Sequence, residues 1–132
     1  MDDQALVDAA RAVRANAYAP YSGYRVGAAI RTKDGRVFLG VNMENSAYPT
    51  CLCAEVNALG SAVAAGAKEL DAIAVATDPP DGRSPGAPCG NCRQALSEFG
   101  LDLRVLLAGP TGTAVEHMLR DLLPHAFNAE DL

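Results

Sequence analysis

No run of lysine or arginine occurs anywhere in this 132-residue chain. Eleven Lys and Arg stand against 16 Asp and Glu, a net charge of −5. Binding to a nucleic-acid backbone works by neutralising phosphates, so this balance argues against a polynucleotide partner and for a small, near-neutral molecule. A long apolar run is also missing. The most apolar stretch, residues 56–67, is too short and too rich in Gly and Ala to span a bilayer. The start, MDDQALVDAA, has neither the basic segment nor the apolar core of a secretory signal. The expectation is a cytoplasmic protein with no membrane partner, whose four cysteines are metal ligands or free thiols rather than disulfides. Internal repeats, linkers and low-complexity tracts are absent, and 49% hydrophobic with 20% charged residues excludes a disordered chain. Residues 1–132 are therefore expected to form one domain with one sizeable core.

Leu6, Ala10, Val13 and Ala17 recur at helical spacing, which predicts an amphipathic helix ending before Pro20. Residues 24–31 and 36–41 read as strands joined at Lys33-Asp34-Gly35, a hairpin signal. Residues 53–65 read as a helix stopped by Gly66, and 71–77 as a short buried strand. A Pro- and Gly-rich loop covers 78–88. Cys92, Ala95, Leu96 and Phe99 then keep helical spacing, and 103–108 is another strand. Thr113-Ala114-Val115-Glu116 matches a capping box and predicts a last helix carrying Met118, Leu119 and Leu122. The order α-β-β-α-β-α-β-α gives an α/β fold, a mixed sheet with helices on its faces and parallel pairing late in the chain.

PTCLCAEV (49–56) and PCGNCRQ (88–94) carry the chemistry. Cys89 and Cys92 at the start of a helix can meet one ion, and the helix N-terminus helps both become thiolates. Cys53 starts the other helix. In such folds both helix starts lie at the carboxyl ends of strands, where sites are built. Three arrangements compete. In the first, Cys51, Cys53, Cys89 and Cys92 form a closed four-thiolate zinc site, although one intervening residue is tight spacing for two ligands. Cys89 and Cys92 alone would make a redox pair, which requires a thioredoxin-type setting. In the third, Cys53, Cys89 and Cys92 hold zinc and leave the fourth position to water. Only this open site explains Glu55, since a carboxylate beside an activated water is a proton shuttle. Glu55 by itself would read as a first-turn acid complementing the helix dipole. The joint pattern C-x-E…P-C-x-x-C favours the shuttle.

That pattern is the zinc-deaminase signature, with Cys53 where some members have His. AYAPYSGYRVGAA (17–29), GVNMENSAY (40–48), CAE (53–55), PCGNCRQ (88–94) and LLPHAF (122–127) follow in order. Over almost its whole length the chain resembles the small homotetrameric cytidine deaminases. The resemblance implies a three-layer α/β/α fold with a five-stranded mixed sheet and one Zn²⁺ per chain. It implies hydrolytic deamination of cytidine and deoxycytidine to uridine and deoxyuridine plus ammonia, in pyrimidine salvage. It implies that Cys53, Cys89 and Cys92 bind the metal and that Glu55 moves protons. Asn42 and Glu44 would hold the ribose hydroxyls, and the Ala54 backbone N–H the pyrimidine carbonyl. Tyr24 would line the nucleoside pocket where Phe is usual. Phe127 would reach a neighbouring subunit's site, and Tyr48 would lie near a subunit boundary.

Two departures stand out. Val56 occupies a position where the family often has Arg, so the net negative charge of three thiolates and Zn²⁺ must be offset otherwise. The helix N-termini, Asn57 and Asn91 are candidates. The Ala-rich run VNALGSAVAAG (56–66) resembles blasticidin S deaminases, which act on a cytosine-containing antibiotic, and these form the runner-up reading. A non-catalytic, zinc-stapled nucleoside-binding domain is the alternative of a different class. His117 and His125 read as ordinary surface or interface histidines, and Cys51 as a spare thiol beside the site.

Overall fold

The Lys33-Asp34-Gly35 turn folds β1 (Gly27–Thr32) back on β2 (Val37–Val41) in antiparallel register, with Ala29 opposite Leu39. Gly35 supplies the left-handed conformation that the turn needs, φ 91°. The computed structural model describes residues 1–79 and 83–132; residues 80–82, within the loop expected at 78–88, lie outside the described residues. α1 (Asp3–Val13) precedes the hairpin, and α2 (Ala54–Ala64), β3 (Leu70–Ala76), α3 (Gly90–Ser97) and β4 (Arg104–Ala108) follow it. β5 (Val115–Met118) and a four-residue α4 (Leu119–Leu122) complete the order. The sheet runs β2-β1-β3-β4-β5, parallel between β3 and β4 and antiparallel elsewhere.

Side chains alternate across the sheet with period two. Ala29, Ala72, Ala74, Ala76, Leu106 and Ala108 face α1, which contributes Leu6, Val7 and Ala10. Ile30, Ile73, Val75, Val105 and Leu107 face the other way, toward Ala58 and Leu59 of α2 and Leu96 of α3. The result is three layers. Gly40 in β2 carries no Cβ because one would collide with the backbone of Ala54 and Ala58. That close approach seats the start of α2 on the sheet. Among the described residues, no helix is long and apolar enough to cross a membrane.

Two expectations need correction. The first helix was expected to reach Ala17, but α1 stops at Val13 and tightens into a 3-10 turn over Arg14–Asn16. The capping box at Thr113 opens no helix. Residues 115–118 form β5 instead, with Leu107 opposite Val115 and Arg104 opposite Met118. The edge of β4 offers backbone groups that need partners, and Arg104 reaches Glu116 across the pair at 2.9 Å. Tertiary pairing thus overrides a local helix signal, and only Leu119–Leu122 remains helical.

Arg104 also hydrogen-bonds Asp3, and Arg31 joins Asp3 (3.0 Å) to Asp71 (2.7 Å). This network ties α1 to four strands, β1, β3, β4 and β5. Hydrogen bonds from Arg104, then Arg31, hold Asp3 below the usual carboxylate range, and Arg104 does the same for Glu116. Folded-state carboxyls with depressed pKa bind fewer protons than the unfolded chain, so they stabilise at high pH and lose that contribution as pH falls. The contribution is complete above about pH 5 and drains below about pH 4. Thermal melts of the wild type should therefore fall further between pH 7 and pH 3 than melts of Arg104→Gln. The comparison cancels acid release of bound metal, and equal falls would remove the network from the account.

Candidate metal centre and active site

β2 and β3 both run antiparallel to β1 between them, so their carboxyl ends share one edge of the sheet. α2 and α3 both begin beyond that edge, and each begins at a cysteine. Cys53 caps α2 and Cys89 caps α3, both with extended backbone (φ −81°, ψ 154° and φ −66°, ψ 167°). Neither cysteine makes a conventional N-cap hydrogen bond, so the first-turn N–H groups remain available to stabilise negative sulfur. Cys92, one turn into α3, is fully buried.

The Sγ atoms of Cys53 and Cys89 lie 3.7 Å apart and those of Cys89 and Cys92 3.6 Å apart. All three fall within 4.8 Å of one another. A tetrahedral ion with bonds of about 2.3 Å to sulfur needs its sulfurs about 3.8 Å apart. The donor set therefore fits zinc in both chemistry and spacing, and three ligands leave the fourth position open.

The thiols do not titrate alike. Burial raises Cys89 somewhat, but N–H groups of Cys92 and Asn91 and the neighbouring thiols outweigh it and bring Cys89 below its ordinary value. Burial pushes Cys53 and Cys92 up, and the charge of Glu55 adds to both. The helix start was expected to favour both thiolates of the C-x-x-C pair. Burial of Cys92 opposes that help, and a bound cation would restore it. Glu55 is buried in the first turn of α2, 5% exposed. Burial raises its carboxyl, offset in part by its own backbone N–H and the Cys92 thiol. A carboxyl raised in this way is suited to taking and returning a proton near neutrality.

Above the sulfurs opens a cavity of about 260 Å³. Tyr24, Asn42, Glu44, Ala54 and Glu55 all line it, together with Cys53 and Cys89. Asn42 accepts from the Val26 N–H (2.9 Å) and donates to the Tyr24 carbonyl (2.7 Å), so its amide also clamps the segment entering β1. Glu44 accepts from the Ser22 hydroxyl and from the N–H groups of Tyr21 (2.9 Å) and Ser22 (3.1 Å). These bonds, the hydroxyl first, hold its carboxyl below the ordinary value.

Phe127 and Tyr48 do not enter this cavity. Phe127 is 57% exposed in a separate groove beside Ser97 and Leu101, where Gln94 donates to its carbonyl at 3.0 Å. Tyr48 is 68% exposed and packs edge-on against Tyr21, ring centroids 6.0 Å apart. Cys51 sits at the rim, and its sulfur accepts from the Asn45 N–H at 3.2 Å. It is outside the three-sulfur group. Asn57 donates to the Val41 carbonyl at 2.7 Å, so its amide belongs to the α2–β2 contact and not to the sulfurs. Asn91 is exposed, and His117 and His125 join no metal-binding group among the described residues.

Ser22, Thr77 and Arg93 were not singled out from the sequence. Arg93 donates to the Pro88 carbonyl (2.7 Å) and the Leu122 carbonyl (2.6 Å), bracing the entry to Cys89. Thr77 is a buried polar residue just past β3, and its place at the carboxyl end of a parallel strand was the available signal.

Residues 1–108 match the family model described as "Cytidine and deoxycytidylate deaminase zinc-binding region". A cytidine deaminase of Halalkalibacterium halodurans is 43% identical, covering 100% of this chain and 98% of that protein. One of Sporosarcina psychrophila is 41% identical, covering 100% and 96%. The crystal structure of cytidine deaminase from Burkholderia pseudomallei superposes with a TM-score of 0.90 at 48% identity, covering 96% of this chain and 100% of that one. The five-stranded sheet, the layers and the cysteine set agree with these likenesses, and the chain belongs to the cytidine and deoxycytidylate deaminase family.

Proposed function

We infer that this chain is a cytidine deaminase, converting cytidine and deoxycytidine with water to uridine and deoxyuridine plus ammonia. The observation that carries the reading is the placement of Glu55, buried at the floor of the cavity beside three sulfurs spaced for one zinc ion. Cys53, Cys89 and Cys92 would hold that ion, one per chain. Zinc in such a site supplies a water acidic enough to react near neutral pH.

The chain's own residues do the rest. Glu55 accepts the proton that the water gives up and delivers it to N3 of the cytosine ring, which makes C4 electrophilic. Water oxygen bonds to C4. Glu55 then carries the remaining proton of that oxygen to the exocyclic nitrogen, the C4–N bond breaks, the oxygen stays on C4 as its carbonyl, and ammonia leaves. One carboxylate serves both steps because they occur in sequence. Ala54 offers its backbone N–H to the pyrimidine carbonyl, while Asn42 and Glu44 receive the ribose and Tyr24 walls the nucleoside. Asn42 and Glu44 are already oriented by Val26, Tyr24 and Ser22, which lowers the cost of ordering them on binding.

The same reading makes residues 1–132 one domain, acting in the cytoplasm in pyrimidine salvage as a homotetramer. The exposure of Phe127 and Tyr48 supports that assembly, in which each would complete or border a neighbouring subunit's site. The test is direct. Purified protein mixed with cytidine should shift the ultraviolet spectrum to that of uridine. No change with cytidine or deoxycytidine would sink the reading.

A further inference from the structure

Gly86 is a glycine without a conformational reason. Its φ is not among the positive values that Gly23, Gly35, Gly66, Gly100 and Gly112 adopt. The reason is space. A Cβ built on Gly86 would collide with the Tyr24 hydroxyl and crowd Thr77 at 3.3 Å from Cγ2. The Gly86 N–H also donates to Thr77 Oγ1 at 2.9 Å. Thr77 is itself fixed, buried at 3% exposure, with its backbone N–H on the Ala108 carbonyl at 2.9 Å.

The backbone of Tyr24, a 43% exposed residue, is tied down as well. Its N–H donates to Ser22 Oγ at 3.0 Å and its carbonyl accepts from Asn42 at 2.7 Å. Its ring therefore stands on a fixed backbone, with one side toward the cavity and its hydroxyl against Gly86. Gly86 lies three residues before Cys89, and Ala87 between them also lines the cavity. The Thr77 hydroxyl thus holds the segment that brings Cys89 to the cluster, and the Tyr24 hydroxyl sits in the space that Gly86 leaves. One belongs to the sheet, the other to the nucleoside wall.

We propose that Thr77 is a positioning residue for Cys89, holding the Gly86 N–H, and that the bare Cα of Gly86 seats the Tyr24 hydroxyl, so that the metal ligand and the wall of the nucleoside cavity are set together. The tyrosine hydroxyl is the part that a phenylalanine at position 24 would lack, and Gly86 is the residue that makes room for it. The proposal rests on the deaminase reading for its kinetic arm only.

The test uses zinc-loaded protein and two measurements, the rate of zinc release to a colorimetric chelator and the split of kcat from KM with cytidine. Thr77→Val keeps the side-chain shape but leaves the Gly86 N–H without its acceptor. It should release zinc about tenfold faster and raise KM more than it lowers kcat, the scale expected for one unpaired donor. Thr77→Ser retains the hydroxyl and should restore both. Gly86→Ala should impair release and KM alike, and adding Tyr24→Phe should relieve most of that defect by removing the clashing oxygen. Wild-type zinc release in Thr77→Val, or no relief of Gly86→Ala by Tyr24→Phe, overturns the proposal. Wild-type protein inert toward cytidine would instead sink the deaminase reading and leave the release measurements to decide the grip.

Discussion

Glu55→Gln is expected to abolish measurable turnover of cytidine while leaving zinc content and melting temperature near wild type. Glutamine matches glutamate in size, so a side chain that is 5% exposed is replaced without a cavity. What disappears is the ability to hold a proton and hand it on. General acid–base groups contribute about 10²–10⁴-fold, and a group used twice in one cycle belongs at the upper end or beyond. The amide cannot ionise, so no change of pH should recover the rate. Zinc measured by mass spectrometry should stay at one per chain, because the carboxylate is outside the group of three sulfurs that would hold the ion. Near-normal kcat in this variant would remove Glu55 from the mechanism. Loss of zinc would make it a ligand instead.

Cys53→Ala should lose zinc and activity together, whereas Cys51→Ala should keep one zinc per chain and near-normal kcat. The two cysteines are one residue apart in sequence and differ completely in place. Cys53 caps α2 with its sulfur 3.7 Å from that of Cys89. Cys51 precedes the cap, is exposed, and turns its sulfur to the Asn45 N–H. Removing one of three thiolates leaves two protein ligands, too few to retain zinc against a mild chelator. Zinc released by Cys51→Ala would revive the closed four-thiolate site.

Much of this was legible in the sequence, for identifiable reasons. Cys53, Glu55, Cys89 and Cys92 sit at helix starts, where spacing along the chain fixes spacing in space, so short motifs suffice to predict their meeting. Asn42 and Glu44 follow a strand whose end the hairpin signal located. β5 was not legible. Thr113 and Glu116 satisfy a local capping rule, and only the unpaired edge of β4, seventh to eleventh residues upstream, tells that the segment is extended. Thr77 was missed for a related reason. One threonine after a strand carries no motif, and its value lies in Gly86, nine residues on.

The sulfur cluster has a consequence beyond chemistry. Cys53 and Cys89 are 36 positions apart, and a shared ion closes the chain between them, β3 included, into a ring. A clip of that span restricts the unfolded ensemble as a disulfide does, on the order of 3–4 kcal/mol in chain-entropy terms. Catalysis and cohesion therefore draw on the same three atoms. Loss of a sulfur would be penalised twice, in rate and in folding, whereas Glu55→Gln would cost rate alone.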